Sequence, residues 1–471
     1  MHKLLIIKET QVTSFFWHNR CYKSGFMGLF IAQARHAFHR GTWLPVVSLG
    51  VYLSLSLPAH AQSPPLLSLA EAKAAAFEHN WDLLAAKSGI DFARAQLIVS
   101  KEFPNPTASF STAYIGASKN ATVLGNGLWE RNYDTIFAVN QLIEIAGKRH
   151  DRQMAGRAGV LGAKARFYDA KRTLDQGVTK AFIAALLAGE NVRILNESAR
   201  LLLHEAEIAQ ARLKAGDISE SDEKQIEINA EQFELQAKSA EAAAVQARIA
   251  VEVLMGVSQP KGNWVGAGSL EQLLEAPPAH LQEPAPGAAR PDVLAAEADL
   301  RGAKANLQLQ RAIRIPDPTL LIEYQHQPPG GGPPVDTLGV GVSFPLPLWN
   351  LNGGNIKAAQ ASVDQLALAA GKARTQMAAD IANAETEYSE AHARWLSYRD
   401  QTAPKSTKVR ESVAFAYEKG GASLVNLLDA ERTDNDIRLA AAQALADTAG
   451  AAADVTAART SMTELDLTSK P

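Results

Sequence analysis

The sequence predicts a mainly α-helical protein with a small β part, built by duplicating one unit: short helix, strand, strand, very long helix, tight turn, helix. Three observations predict it. An apolar-Pro-(Asn/Asp)-Pro-Thr turn occurs twice, as FPNPTASF at 103–110 and IPDPTLLI at 315–322. Two runs with partial apolar alternation follow each turn, joined by a glycine-rich loop. Beyond each pair of runs lies a very long helical stretch. It is proline-free from Gly147 to Ala215, and interrupted only by Pro404 between Gly354 and Gly420.

The elements follow in chain order. Residues 1–61 read as an N-terminal extension and signal peptide: basic residues, an apolar run from Leu44 to Leu57, then Ala59-His60-Ala61. Small residues at the first and third positions of that triplet suit a signal peptidase, so cleavage is expected after Ala61, with Met27 a candidate true start. Cys21, the single cysteine, is lost with this segment. The mature chain therefore carries no disulfide, no thiolate metal site and no cysteine for lipidation.

The first repeat is assigned to 62–256. Its opening helix, WDLLAAKSGIDFARAQLIVSKEF from Trp81, aligns with PDVLAAEADLRGAKANLQLQRAI from Pro291. Both lack internal proline, space their apolar residues helically and stop at the Pro-x-Pro turn. Strands are expected at about 107–117 and 133–145, then a helix hairpin over 147–256. Residues 257–290, rich in Pro and Gly, form a linker. The second repeat, 291–471, repeats the order, with strands at about 318–327 and 336–348 and a hairpin over 354–465. Each long helix would span about 100 Å at 1.5 Å per residue. Such a helix cannot bury its apolar stripe in one small domain, so it must pack on its hairpin partner and on neighbouring chains.

Composition excludes some classes. A formal charge of -3 is no polyelectrolyte signal, so no nucleic acid is expected. The mature histidines (His79, His150, His204, His280, His326, His392) show no ligand spacing, and no nucleophile motif appears. Neither a metal site, a cofactor nor an enzymatic activity is expected. Four strands of about ten residues match the length that crosses a bilayer at a tilt, with Val340, Val342 and Phe344 on one face and Gly341 and Ser343 on the other. Four strands cannot close a barrel; three copies would give twelve. A hairpin on a soluble periplasmic protein fits the strands taken alone.

The duplication, the NPT and DPT turns, the junctions VNQLIEIAGKR and VSFPLPLWNLNGGNI, and the turn YEKGGASLVNLLDA together resemble TolC-type outer membrane efflux proteins over essentially the whole mature chain. QLIEIAGKRHDR is similar to the heavy-metal, CzcC-like branch, although Leu142 stands where that branch usually has proline; the second copy keeps it as Pro345. The resemblance implies a homotrimer. Its twelve-stranded β-barrel would sit in outer membrane lipid and continue into a periplasmic α-helical barrel. The duct would dock a periplasmic adaptor protein and an inner-membrane RND-type transporter, and would carry heavy-metal cations. A TolC-type duct for drugs or secreted proteins is the alternative within the family. A periplasmic coiled-coil adaptor or scaffold without a barrel is the alternative outside it.

Site residues follow from the same resemblance. Lys214, Ala215, Gly216, Lys419, Gly420 and Gly421 would be hairpin tips that meet the adaptor. The plain alternative is C-capping, with Gly216 and Gly421 in left-handed conformation. Asp429 and Asn426 would lie at the pore constriction, where three copies of Asp429 form a cation-attracting ring. The alternative is a solvated helix face that includes Glu431 and Asp434. Pro404, about four turns before the second tip and opposite Ala199 of the first repeat, would kink the second hairpin as a gate.

Overall fold

The computed structural model describes residues 64–113, 134–274, 287–327 and 335–469. The expected signal peptide with its cleavage point, the two glycine-rich strand loops, the far end of the first strand and the middle of the linker lie outside these residues.

A two-residue strand, β1 (Leu66–Leu67), precedes α1 (Leu69–His79) and α2 (Trp81–Lys101). Helix α1 was not anticipated. Its signal is local: Ser68 caps the Glu71 N–H while the Glu71 carboxylate accepts from the Ser68 N–H, a reciprocal capping box. Strands β2 (Thr107–Ala113) and β3 (Asp134–Leu142) follow, then α3 (Lys148–Ala215) and α4 (Glu220–Leu254). At 68 residues α3 runs about 100 Å. A second two-residue strand, β4 (Val265–Gly266), pairs in parallel with β1, and the short α5 (Leu270–Leu274) comes next.

The second copy comprises α6 (Pro291–Ala312), β5 (Thr319–Gln327), β6 (Val335–Ser343), α7 (Gly353–Ser397), a π-helical turn at Tyr398–Thr402, α8 (Ala403–Glu418) and α9 (Leu424–Arg459). The short α10 (Glu464–Ser469) ends the described chain. Strands β3 and β6 stop earlier than the sequence suggests. Past Leu142 its partner β5 gives way to the Pro-Asp-Pro turn, and a last bond runs from the Ile143 N–H to the Pro318 carbonyl. Past Ser343 come Pro345 and Pro347, which lack the donor that a ladder needs.

The sheet order is β2-β3-β5-β6, antiparallel throughout. The two repeats thus join edge to edge through β3 and β5. Directly paired residues share a face. One face carries the rows Phe110/Phe137/Tyr324/Leu338 and Ala108/Val139/Ile322/Val340, followed by Leu320 and Val342. The other carries Ser109/Ala138/Glu323/Gly339 and Ser111/Ile136/Gln325/Thr337. On the first face the large apolar side chains are exposed, Val340 to 77 %.

The helices pack through alanine. Ala199, Ala230 and Ala237 sit with Leu195, Leu202, Phe233 and Leu428 in a cluster that joins α3, α4 and α9. Small side chains let helix axes approach closely along the whole length. Where α1 meets α3, Phe182 stacks on Trp264.

Candidate functional site

Three places carry the candidate residues: the strand-to-helix junction, the hairpin tips, and the face of α8 and α9 behind the second tip.

At the junction, the first repeat's Glu-x-x-Gly-Lys-Arg run meets the second repeat's Pro-Asp-Pro turn. Asp317 accepts from the Ile145 N–H at 2.9 Å and pairs with Lys148 Nζ at 2.7 Å. Lys148 Nζ also donates to the Ile315 carbonyl at 2.6 Å. Arg152 forks onto Glu144, and Arg149 donates to the Lys101 carbonyl while lying over Phe103. The Arg152 guanidinium holds the Glu144 carboxyl below its usual range, against the desolvation that would raise it. The Asp of the second turn therefore anchors the first repeat. Sequence reading had noted both motifs without pairing them.

At the tips, α3 and α8 end alike. Gly216 and Gly420 take left-handed φ of 83° and 77°. The Asp217 N–H donates to the Arg212 carbonyl at 3.0 Å, and the Gly421 N–H to the Ala416 carbonyl at 2.7 Å, so both close as Schellman motifs. This corrects the expectation for Gly421: the left-handed cap is Gly420. Each capping glycine stands three residues before a serine N-cap, Ser219 or Ser423, that starts the return helix by accepting from the Asp222 or Asn426 N–H. That spacing selects the first glycine of the pair. It also sets Arg200, not Ala199, opposite Pro404. Arg212 ties the two tips together by donating to the Tyr417 carbonyl at 2.9 Å and lying over its ring. Lys214, Ala215, Gly216, Lys419, Gly420 and Gly421 are all exposed.

Behind the second tip, Asn426 and Asp429 are exposed and face a groove between α8 and α9, with Thr402, Lys405, Val409 and Thr433 beside them. Glu431 and Asp434 do not share that face. Both are buried, so the solvated-face alternative fails for them. Their partners lie on α8: Arg410 Nη1 is 3.5 Å from Glu431, and Arg410 Nε is 3.2 Å from Asp434. The second contact is ionic; the Nε–H does not point at the carboxylate. Asp434 accepts hydrogen bonds from Ser406 at 2.6 Å and Thr407 at 3.0 Å. Sequence reading missed this cluster. Its signal was spacing, since residues 427, 431, 434 and 438 fall at the interval of a helix seam.

Pro404 opens α8 just after the π-helical turn. The Ala403 N–H reaches back five residues to the Tyr398 carbonyl. A wider turn accommodates a residue that has no donor and whose ring crowds the preceding turn. The equivalent stretch of α3 is unbroken α-helix.

Among the described residues, no group of three or more His, Cys, Asp or Glu side chains could hold a metal ion, and no helix is long and apolar enough to cross a membrane. His326 lies in the sheet, its Nδ1 2.7 Å from Asp336.

A mostly helical chain with long tip-ended hairpins and one small antiparallel sheet defines a class of envelope duct, and comparison with known proteins agrees. The profile of the outer membrane efflux protein family matches residues 74–257 and 287–459. The chain belongs to that family. It is 24 % identical over 377 residues to the cobalt-zinc-cadmium resistance protein CzcC of Cupriavidus metallidurans, covering 80 % of this chain and 85 % of that protein. Solved structures of similar fold include CusC, with TM-score 0.67, 17 % identity, and coverage of 83 % of this chain and 91 % of that one. They also include the open state of the MtrE outer membrane channel of Neisseria gonorrhoeae, with TM-score 0.63, 21 % identity, and coverage of 83 % and 88 %. The chain is an outer membrane channel component of an efflux system. Such a channel is a passive conduit, so the chain is not an enzyme.

Proposed function

We propose that three copies of this chain close a twelve-stranded barrel in the outer membrane and conduct heavy-metal cations delivered by an RND-type pump and its periplasmic adaptor. The observation that carries the duct is the two-faced sheet. One face presents Phe110, Phe137, Leu338, Val340 and Val342 to the surroundings, and the other presents Ser109, Ser111, Gln325 and Thr337. A membrane barrel needs this arrangement, apolar to lipid and polar to the lumen. Within the single chain, the outer edges of β2 and β6 are paired to no other described strand. Open edges are not tolerated in lipid, so neighbouring copies must supply the missing partners.

The segment after β6 fits the same picture. Leu346, Leu348, Trp349 and Leu351 are exposed, Trp349 to 93 %. An amphipathic indole beside aliphatic side chains at the end of a membrane strand suits the headgroup layer.

The cargo rests on the relationship to CzcC, whose name states resistance to cobalt, zinc and cadmium. Exposed Asp429 supports a cation route: three copies round a narrow opening would focus a negative field. A deletion strain grown on graded cobalt, zinc, cadmium, nickel and copper, beside a panel of dyes and antibiotics, tests this. Sensitivity to metals alone, restored by the intact gene, is expected. Sensitivity to organic compounds alone would keep the duct and reject the metal assignment.

A further inference from the structure

Helix α8 has three mechanical parts. Its start, at Pro404, follows the π-helical turn, where the regular ladder is already interrupted. Its end is the left-handed cap at Gly420. Its middle is held by the buried charges. There Arg410 pairs with Glu431 and Asp434, and Glu205 of α3 is a third carboxylate nearby. Asp434 is well served by Ser406, Thr407 and Arg410. Glu431 has only the 3.5 Å contact to Arg410. Glu205, reaching in from α3, has a buried Oε2 with no hydrogen-bond partner. A buried polar oxygen without a partner destabilises the packed state, more so when charged.

We propose that this cluster is a proton-dependent latch that holds α8 against α9 and α3, and that α8 swings about the π-helical turn when the latch ionises. Burial pushes the carboxyls of Glu431 and Glu205 above the usual carboxylate range. Other charged groups face the cluster from every packed element. His204 and Arg212 come from α3, Asp222 from α4, Glu411, Tyr417 and Glu418 from α8, and Asp434 from α9, while Arg432 turns away to Asn229. The sign follows from linkage. With α8 packed, both carboxyls hold their protons to higher pH than when α8 is away and they are hydrated. The packed state therefore binds more protons, is most stable in mild acid, and weakens as pH rises through the raised values.

The latch depends on side-chain packing alone, so its test does not depend on the cargo. Residues 62–471 hold no cysteine, which permits nitroxide labels at Ala211→Cys on α3 and Ser412→Cys on α8, both exposed and neither touching the cluster. Distances are measured on the detergent-solubilised protein without residues 1–61 by pulsed electron spin resonance between about pH 5 and about pH 9. Singly labelled protein supplies the between-copy background. A longer, broader distance distribution at high pH is expected. In Glu205→Gln with Glu431→Gln the short distribution should persist at every pH, and Glu411→Gln should respond as the parent does. Should the double variant not fold, Glu431→Gln alone should show a reduced shift. A pH-invariant parent, or a full shift in a variant that carries Glu431→Gln, overturns the latch.

Discussion

At Gly420 a φ of 77° strains the backbone of any residue with a side chain, although a Cβ there would meet only Arg212, at 3.9 Å, whereas Gly421 is not left-handed. A β-branched residue at 420 should cost about 1–3 kcal/mol of local strain and unwind the second tip. We expect Gly420→Val to lose adaptor co-purification and efflux-dependent resistance at normal expression, and Gly421→Val to lose less. Equal effects would return the capping role to both glycines. Asp429 makes the complementary case, since its exposed carboxylate is bound by no other residue of the tip. Asp429→Asn should lower cation preference several-fold in planar bilayers, read as reversal potential across a salt gradient. Asn426→Asp should raise it. At this scale the sequence was legible wherever one residue type has one use. Glycine at a helix end could be read, but which of two adjacent glycines turns left-handed depends on the distance to Ser423. The burial of Glu431 left only the seam spacing as a trace, because a charged letter looks solvated until its partner on another helix is known.

Among elements, the junction and the π-helical turn show what repetition can and cannot reveal. Both Pro-x-Pro turns stand out as a repeat, yet Asp317 earns its place by gripping Lys148 and the Ile145 N–H in the other copy. No pattern within one repeat could announce that. The Lys148–Asp317 pair is largely buried, and deleting one partner strands the other charge. Asp317→Ala should destabilise by roughly 3–5 kcal/mol, seen as a lower midpoint of thermal unfolding, with Asp317→Asn milder because it keeps an acceptor for the Ile145 N–H. Pro404 was legible as an interruption, but the form it takes, a five-residue reach from Ala403 to Tyr398, is a matter of backbone geometry. Pro404→Ala restores a donor and removes the crowding, so α8 should become a straighter continuation of α7. Altered single-channel conductance and altered resistance are expected. Unchanged values for both would remove the gate role from this turn.

The whole molecule depends on surfaces that one chain leaves open, and here the β part decides. Partial alternation in the strands was visible in the sequence, but only the register showed that Phe110, Phe137, Ile322, Leu338 and Val340, drawn from all four strands, fall on one side, with Ile136 and Leu321 on the other. Val340 and Thr337 stand on opposite faces of the same strand, so the pair separates a lipid-facing sheet from a soluble one. A lysine at the bilayer midplane on the lipid face costs about 2–4 kcal/mol, whereas one facing an aqueous lumen meets water. In the proposed trimeric barrel three copies would multiply that difference. Val340→Lys should therefore shift protein out of the detergent-requiring outer membrane fraction, while Thr337→Lys should stay there and change conductance instead. In a soluble periplasmic scaffold neither lysine would matter, since both faces would already be wet, and the protein would leave the membranes with salt.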